Sequence, residues 1–363
     1  LRFSADDRSR LGAASTWVRV PDTGRISLVV TGCELAGPAK AAVPTESPSE
    51  ESLLPRSLAS GSAESQAIGR RSEVAGQLQS LGVLDMSEPA VMRDLRLVRL
   101  IFSPSVRGDS SGDYVGELTV TVRSEPGQGV NERRGRSLPP SEASGRLYGS
   151  KVINYRRRDA DDAEPRYRDS RDPLPMGARY LVISADTYAD EIEPLVNWKN
   201  AKGMRSKLTT LSSVGSSAAQ IKNYIQTAYD TWEIPPEFVL LVGDTEQLPS
   251  YESLTYTDNY YATLEGSDFL SDIFVGRISA DSGYECATQV AKILGYERTP
   301  VTTDPDWPAS ALLMVHDDFD SGDWIYYMNT SRIYDVLDPA GFAPIDTLVK
   351  KNDVTRPEVY ASV

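Results

Sequence analysis

Four aspartates in the middle of the chain have the residue type and the positions to bind a metal ion. They are Asp244, Asp258, Asp268 and Asp272, and each lies at the end of a predicted strand or in the loop between two such strands. Carboxylate oxygens are the ligands that a calcium ion prefers, so these residues predict a calcium site. Two alternatives stay open, because a structural network with Arg277 or a bare solvated loop would account for them equally well.

A second acidic loop, HDDFDSGDW at His316–Trp324, follows another predicted strand. Asp318 and Asp320 extend the set of candidate calcium ligands, although their spacing lacks the full EF-hand pattern. A carboxylate of this loop could instead pair with a cationic side chain of a substrate. The third interpretation is a solvated acidic turn at a helix N-terminus, which the helix dipole favours.

Cys286 and His316 are the two residues that could suggest a thiol–imidazole pair. Cys286 lies on the apolar face of a predicted helix, a position typical of a buried core cysteine. His316 follows a strand, but Asp317 and Asp318 come next, and no glycine allows a substrate backbone to approach. We therefore expect a loop histidine held by neighbouring carboxylates rather than a catalytic group.

Composition and missing motifs narrow the functional classes. The 363 residues carry a net charge of −14, which argues against nucleic acid as a partner because phosphate binding needs a basic surface. No apolar run approaches the roughly 20 residues of a membrane helix, so no membrane span is expected. One histidine and two distant cysteines offer little material for a zinc site or a Ser-His-Asp triad. The phosphate-binding and hydrolase motifs GxGxxG, GxxxxGKS/T, GxSxG and HExxH are absent.

Residues 1–130 are predicted to form a β-rich domain. Thr16–Val30 is typical of two short strands around a Pro-Asp-Thr-Gly turn. Leu95–Ser105 and Gly116–Glu125 alternate apolar and polar residues, which indicates half-buried strands of an antiparallel sheet. Residues 36–75 hold few large apolar groups and predict a long surface loop or disordered excursion.

Residues 131–176 predict a charged linker between two domains. They combine Pro, Gly and charges of both signs without periodicity, as in YRRRDADDAEPRYRDSRDP at Tyr155–Pro173. The linker is either a solvated tether or an exposed region for proteolytic processing after arginine. The chain starts at Leu1 without a signal peptide, so we expect a processed protein or a fragment.

Residues 177–363 alternate between strands and helices. The predicted strands are Arg179–Ser184, Ser206–Leu211, Phe238–Val242, Asp272–Ile278, Ala311–Val315 and Ile345–Val349. This alternation predicts an α/β fold with a mostly parallel sheet flanked by helices, left incomplete at the end of the chain. Ser217 and Gln220 predict a capping box at the start of one helix. The acidic stretch between the third and fourth strands is expected above the strand ends where ligands bind in such sheets.

Several blocks of residues 178–308 resemble the gingipain family of cysteine peptidases in order and spacing. The blocks are ARYLVISADTYADEIEPLVNWKNAKG, AAQIKNYIQTAYD, FVLLVGDTEQLPS, TDNYYATLEGSDFLSDIFVGRISA and ATQVAKILGYERTP. The stretches MRDLRLVRLIFSPS and GELTVTVRSE look like the β-rich prodomain of the same family. The resemblance implies a caspase-like fold for residues 177–363, preceded by a prodomain that acts as an intramolecular inhibitor.

The resemblance also implies which site residues to expect. Family members cleave protein or peptide substrates with a histidine and a cysteine, and both are expected after Val363, so neither Cys286 nor His316 matches them. In arginine-specific members an acid binds the substrate side chain, and Asp323 is the nearest match. No cofactor is expected to be required, although some members bind calcium. Family members are exported, so a secreted or cell-surface location is expected.

Two functional hypotheses follow. The first is a secreted cysteine endopeptidase, of which residues 1–363 form an inactive front segment. The second is a non-catalytic secreted scaffold or adhesion protein that keeps the peptidase fold, since a fold does not guarantee chemistry.

Overall fold

The computed structural model describes residues 2–4, 14–36, 76, 78–104, 114–136, 138, 141–156, 176–252, 256–299, 307–316 and 324–350. The chain divides into two units, residues 1–290 and 291–363. Within the first unit we distinguish an N-terminal module, residues 1–156, and an α/β module, residues 176–290.

In the described part of the N-terminal module, seven strands form two antiparallel sheets. They are β1 (Arg2–Ser4), β2 (Ala14–Val20), β3 (Arg25–Ala36), β4 (Leu84–Met86), β5 (Ala90–Met92), β6 (Leu95–Phe102) and β7 (Tyr114–Glu125). One sheet has the order β1-β7-β3, and the other has the order β2-β6-β4 with β5 also paired to β6. Apolar side chains from both sheets, including Val30, Leu100 and Leu118, pack in one core, which confirms the β-rich prediction for this part of the chain.

Strands that are neighbours in sequence are not always neighbours in a sheet here. The predicted strands within 95–105 and 116–125 do form, as β6 and β7, but they belong to different sheets. The prediction of one antiparallel sheet for this pair was therefore wrong. Alternation in sequence shows which face of a strand is buried. It does not show whether two such strands lie in one sheet or in two facing sheets, because the apolar face is buried in either case.

A helix lies inside the region predicted as a linker. Helix α1 (Glu142–Lys151) begins at Ser141, whose hydroxyl accepts the Ser144 backbone N–H. Its Tyr148 packs with Leu95 and Leu97, which lie on the face of β6 opposite the sandwich core. This second covering explains why β6 is almost fully buried rather than half-buried as predicted. Residues 157–175 of the expected linker lie outside the described residues.

The α/β module contains a four-stranded parallel sheet. Its strands are β8 (Tyr180–Ser184), β9 (Ser206–Thr210), β10 (Phe238–Val242) and β13 (Phe274–Ile278), in the order β13-β10-β8-β9. Consecutive residues of a strand point to opposite faces, and Leu181, Val182 and Ile183 are all completely buried. Both faces of the sheet are therefore covered at β8, as the sequence predicted for parallel strands.

The α/β module also contains helices, the last of which continues beyond residue 290. They are α2 (Ala189–Ala201), α3 (Leu211–Val214), α4 (Ala218–Thr231), α5 (Asn259–Ala262) and α6 (Gly283–Arg298). The predicted capping box is present at α4, where Ser217 and Gln220 satisfy each other's backbone N–H groups.

The long connection from β10 to β13 runs from the carboxyl end of one strand back to the amino end of its neighbour. It contains a short hairpin of β11 (Tyr251–Glu252) and β12 (Tyr256–Thr257), followed by α5. Because β10 and β13 are parallel and Phe238 pairs with Phe274, the connection must return to the amino end of the sheet. Asp272 therefore lies at the amino edge, and the expectation that this whole stretch lies above the carboxyl ends was wrong.

The second unit contains a separate pair of parallel strands. These are β14 (Ala311–His316) and β15 (Ile345–Lys350), and helix α7 (Trp324–Leu337) lies between them in sequence. The last two predicted strands are thus confirmed as parallel neighbours. In the described residues they form a two-stranded sheet. None of the described helices has the length and apolar character needed to cross a membrane.

Candidate functional site

The carboxyl edge of the four-stranded sheet is held together by Arg277. Its guanidinium forms a two-point ion pair with Asp258, with Nε–Oδ2 at 2.9 Å and NH2–Oδ1 at 2.8 Å, and NH1 donates to the carbonyls of Gly243 and Leu248 at 2.8 Å. Burial raises the pKa of Asp258, but hydrogen bonds from Arg277 and Ser250 outweigh it and hold the pKa below its ordinary value. For Asp258 the structural-network alternative is the one that the geometry supports.

Asp244 also lies at the carboxyl edge, but it has different partners. Its Oδ1 accepts a hydrogen bond from the Ser279 hydroxyl at 2.8 Å, and its backbone N–H donates to Gln247. The Ser279 hydroxyl is the main reason that the pKa of Asp244 lies below its ordinary value. This carboxylate therefore ties the end of β10 to the residue that follows β13.

An open hollow of about 500 Å³ lies where the strand order reverses, beyond the ends of β8, β9 and β10. Its lining includes Asp186, Ser212, Gly215, Gln220 and Gln247. Such switch points are the usual ligand position in open α/β sheets. Asp186 already accepts the Ser212 backbone N–H at 3.0 Å, and Gln220 already serves the capping box. The polar groups of the hollow are therefore largely occupied by contacts within the fold.

Asp268 and Asp272 do not lie with the other two aspartates; they contact the N-terminal module. Asp268 Oδ2 accepts the backbone N–H of Val91 at 2.8 Å, and Asp272 Oδ1 accepts the backbone N–H of Arg93 at 2.6 Å. Asp272 and Arg93 are 3% and 4% exposed. Burial raises the pKa of Asp272 to about 6, although three backbone N–H groups oppose the shift. These two carboxylates form a buried contact between the modules.

A second contact between the modules is centred on Glu237, which is almost fully buried at the start of β10. Its Oε2 accepts the Arg179 guanidinium from both Nε and NH2, at 3.1 and 2.5 Å. Its Oε1 accepts the hydroxyls of Ser141 and Ser144 at the start of α1. One carboxylate thus joins the α/β module to the helix that covers β6.

A third contact runs through Asn131. Its Oδ1 accepts the backbone N–H and the hydroxyl of Ser267 at 3.0 and 2.9 Å, and its Nδ2 donates to the Pro89 carbonyl. Nearby, the Arg136 guanidinium donates to the Tyr229 carbonyl at 2.8 Å. All three contacts lie along the same side of the α/β module, so the N-terminal module is docked and not merely tethered.

The remaining candidates from the sequence are Cys286, His316 and the aspartates of the second acidic loop. Cys286 is completely buried on α6, and burial together with the nearby Glu191 raises the pKa of its thiol. A buried thiol with a raised pKa is a poor nucleophile, which agrees with the prediction of a core residue. His316 ends β14, where its backbone is in register with Lys350. Asp318, Asp320 and Asp323 lie outside the described residues.

The four described aspartates do not form one metal site. In the part of the chain that the structure describes, no group of three or more His, Cys, Asp or Glu side chains is arranged to hold a metal ion. Two of the four serve the carboxyl edge and two serve the module contact. Each of the four carboxylates already accepts hydrogen bonds from protein donors, and a calcium site stays a prediction.

Sequence reasoning missed the residues that dock the modules, namely Arg93, Asn131, Ser141, Glu237 and the backbone N–H of Val91. Glu237 carried a weak signal, because it directly precedes a fully apolar strand. Val91 and Arg93 dock through backbone N–H groups, which carry no residue-type signal. Asn131 and Ser141 dock through side chains that lie in a stretch without periodicity.

Comparison with known proteins shows which family the α/β part of the chain resembles. The family model "Peptidase family C25" matches residues 174–360, which is more than half of the chain. Gingipain R1 of Porphyromonas gingivalis is 26% identical over 238 residues, covering 63% of this chain and 22% of the relative. Gingipain R2 of Porphyromonas gingivalis strain W83 is 31% identical over 137 residues, covering 37% and 18%. The chain therefore spans about a fifth of the length of these relatives.

Among solved structures, the chain is similar to the complex of Porphyromonas gingivalis RgpB pro- and mature domains. The identity is 27%, the match covers 50% of this chain and 44% of that chain, and the TM-score is 0.44. The match of the family model over residues 174–360 and the related gingipain sequences confirm the resemblance inferred from the sequence blocks. The chain belongs to peptidase family C25, the gingipain-like cysteine peptidases.

Proposed function

We propose that this chain is the amino-terminal part of a secreted cysteine endopeptidase precursor. The observation that carries the proposal is the match of peptidase family C25 across residues 174–360. Residues 177–363 would supply the first part of a caspase-like peptidase domain. Residues 1–130 would be its prodomain, followed by a processing region within residues 131–176.

The chemistry of such an enzyme is thiolate attack on a peptide carbonyl, with an imidazole that accepts the thiol proton and later protonates the leaving amine. We place the cysteine and the histidine beyond residue 363. Cys286 is unsuited to the role because its thiol is fully buried. Residues 1–363 are then inactive by themselves, and the partners of the complete enzyme are protein or peptide substrates.

The docking contacts support an inhibitory role for the N-terminal module. A module held by buried hydrogen bonds at Asp272 and Glu237 stays in one position on the α/β module, as an intramolecular inhibitor requires. Cleavage in the arginine-rich residues 157–175 would then separate the two modules covalently. In this proposal Asp323 pairs with a cationic substrate side chain, and Asp318 and Asp320 remain candidates for an optional calcium ion.

The test is expression of the complete open reading frame, followed by cleavage between residues 157 and 175. We expect peptide cleavage that thiol reagents abolish, and we expect Cys286→Ala to keep that activity. Residues 1–363 expressed alone serve as the inactive control. A correctly folded complete protein without any turnover after this cleavage would reject the peptidase proposal in favour of a non-catalytic scaffold.

A further inference from the structure

We infer that residues 264–272 form a receptor loop that recognises the turn at residues 91–93 through its backbone N–H groups. We call the Val91 and Arg93 amides, with the Asp268 and Asp272 carboxylates, the amide latch. As a statement about a zymogen it rests on the proposed function, but its contacts and its test concern only the chain itself.

Each carboxylate of the latch uses one oxygen to hold its own loop and the other to hold the turn. Asp272 Oδ2 accepts the backbone N–H groups of Leu264 and Glu265 at 2.5 and 2.7 Å, which leaves Oδ1 for Arg93. Asp268 repeats this division, with Oδ1 on its own loop and Oδ2 on Val91. The two acceptors are thus fixed in position before the turn arrives, so little additional ordering is needed on docking.

The hairpin of β5 and β6 directs the N–H groups of Val91 and Arg93 towards the receptor loop. Strands β5 and β6 pair Met92 with Leu95, which leaves Arg93 and Asp94 as a two-residue loop. Alternate residues of a strand turn their N–H groups to opposite edges, so Val91 and Arg93 present theirs on the edge facing away from β6. Such an open edge invites another partner, and here two carboxylates occupy it.

The conformation of the turn is itself unusual. Arg93 has a φ of 55°, a left-handed conformation that the first loop position of some two-residue hairpins requires and that glycine normally supplies. What the receptor loop recognises at this residue is therefore a backbone direction and not a charge. The NH1 nitrogen of Arg93 is buried without a hydrogen-bond partner among the described residues.

The receptor loop is shaped for the same contact. Gly266 has a φ of 68°, and a side chain there would meet Asp268 Oδ2 at 2.8 Å. A side chain at this position would therefore have to displace the oxygen that accepts the Val91 N–H. Because Val91 is 1% exposed and Arg93 4%, water cannot replace the lost acceptor when a latch carboxylate is removed, and the buried N–H is left unsatisfied.

The occupant of the receptor loop is the turn of the same chain, since the contacts join residues of one folded unit. Asn131 adds a side-chain contact at the neighbouring position, where it binds both Pro89, which precedes the turn, and Ser267 on the loop. The latch therefore makes Asp268 and Asp272 positioning residues for the N-terminal module rather than metal ligands.

The test uses the chain of residues 1–363 with a recognition sequence for a site-specific protease inserted between residues 157 and 175. After cutting, the affinity of the two pieces for each other is measured by analytical ultracentrifugation. We expect Asp268→Asn and Asp272→Asn each to weaken it by at least tenfold, because both oxygens of each carboxylate accept hydrogen bonds and the amide nitrogen of asparagine cannot. Asp190→Asn, an exposed substitution on α2, should leave the affinity unchanged.

A second measurement is hydrogen exchange in the uncut chain. In both latch variants the amides of Val91 and Arg93 should exchange faster, while those of Val98 and Leu100 in β6 stay protected. Unchanged affinity with unchanged exchange at residues 91–93 would overturn the latch.

Two further outcomes are also decisive. If Asp272→Asn unfolds its loop, the half-buried Asp268 provides the deciding variant. A rise in mass to a dimer would assign the receptor loop to a second copy and so overturn recognition within the chain. Peptidase activity enters none of these measurements, so a failed latch and a failed peptidase proposal are distinguishable.

Discussion

The Arg277 guanidinium and the Asp258 carboxylate meet in a fork-to-fork ion pair, with both nitrogen–oxygen distances below 3 Å. Arg277 also donates to the carbonyls of Gly243 and Leu248. A single side chain on β13 therefore holds the start of the connection that follows β10. Such bidentate pairs are stronger and more directional than simple ion pairs.

We expect Arg277→Lys to destabilise the protein by about 2–3 kcal/mol, because an ammonium group cannot reproduce the planar fork or reach both carbonyls. The measurement is the free energy of unfolding in urea. Arg332→Lys, at an exposed position on α7, is the matched control and should change it by no more than about 0.5 kcal/mol. Equal effects of the two substitutions would remove the role given to Arg277.

Acid should weaken the same pair. The pKa of Asp258 lies below its ordinary value in the folded protein, so its contribution to stability is complete above the unfolded pKa. It is lost as the pH falls through the folded pKa. Asp258→Asn should therefore show a shallower loss of stability below about pH 4 than the wild type. Parallel stability profiles of the two proteins would contradict this expectation.

Asp272 should give the opposite dependence. Its pKa is raised to about 6 by burial, with the nearby Glu265 adding to the shift. A raised folded pKa contributes stability that is complete below the unfolded pKa and is lost as the pH rises through about 6. The free energy of unfolding measured from pH 4 to pH 7 should fall in the wild type relative to Asp272→Asn, which has no titrating group. A difference between the two that is constant with pH would show that Asp272 does not titrate in this range.

Arg93 separates backbone recognition from side-chain recognition. Arg93→Gly keeps the left-handed backbone at φ 55° and removes the buried NH1 nitrogen that lacks a partner among the described residues. Arg93→Val is expected to be at least about 1 kcal/mol less stable than Arg93→Gly, because a β-branched residue is strained in that conformation. Urea unfolding compares the two. If valine and glycine were equally stable there, the turn would not depend on its backbone direction.

Glu237→Gln should loosen helix α1. The substitution removes the charge that pairs with Arg179 and weakens the acceptor for Ser141 and Ser144, with an expected loss of about 1–3 kcal/mol. Hydrogen exchange of residues 142–151 should rise, which identifies the helix as the part affected. Glu193→Gln, at an exposed position on α2, should leave both quantities unchanged.

The thiol of Cys286 should be inert in the folded chain. Because Cys286 is completely buried and Cys33 is only partly buried, a thiol-specific chromogenic reagent should label Cys33 first and Cys286 only on unfolding. The rates are followed by absorbance and assigned with Cys33→Ser. Fast labelling of Cys286 in native protein would reopen its assignment as a core residue.

The sequence by itself determined the local structure and the family. Apolar runs such as Phe238–Val242 can be buried in only a few ways, so the six longer strands described in residues 177–363 were predictable, as was the capping box at Ser217. The two-residue strands β11 and β12 were not predicted. The ordered blocks from residue 178 onward carried the resemblance to the gingipains, which the family match over residues 174–360 confirms. These features depend on short-range patterns, which are visible without a fold.

Only the tertiary structure decided which strands pair and what the aspartates do. The patterns of β6 and β7 are satisfied equally by one sheet or by two facing sheets, and only packing distinguishes the two. Asp258 and Asp272 have the same residue type and similar surroundings in sequence. One faces the Arg277 guanidinium, and the other faces a backbone N–H that is 179 positions away along the chain. The role of a carboxylate follows from the donors that surround it, and here the fold brings those donors from distant parts of the sequence.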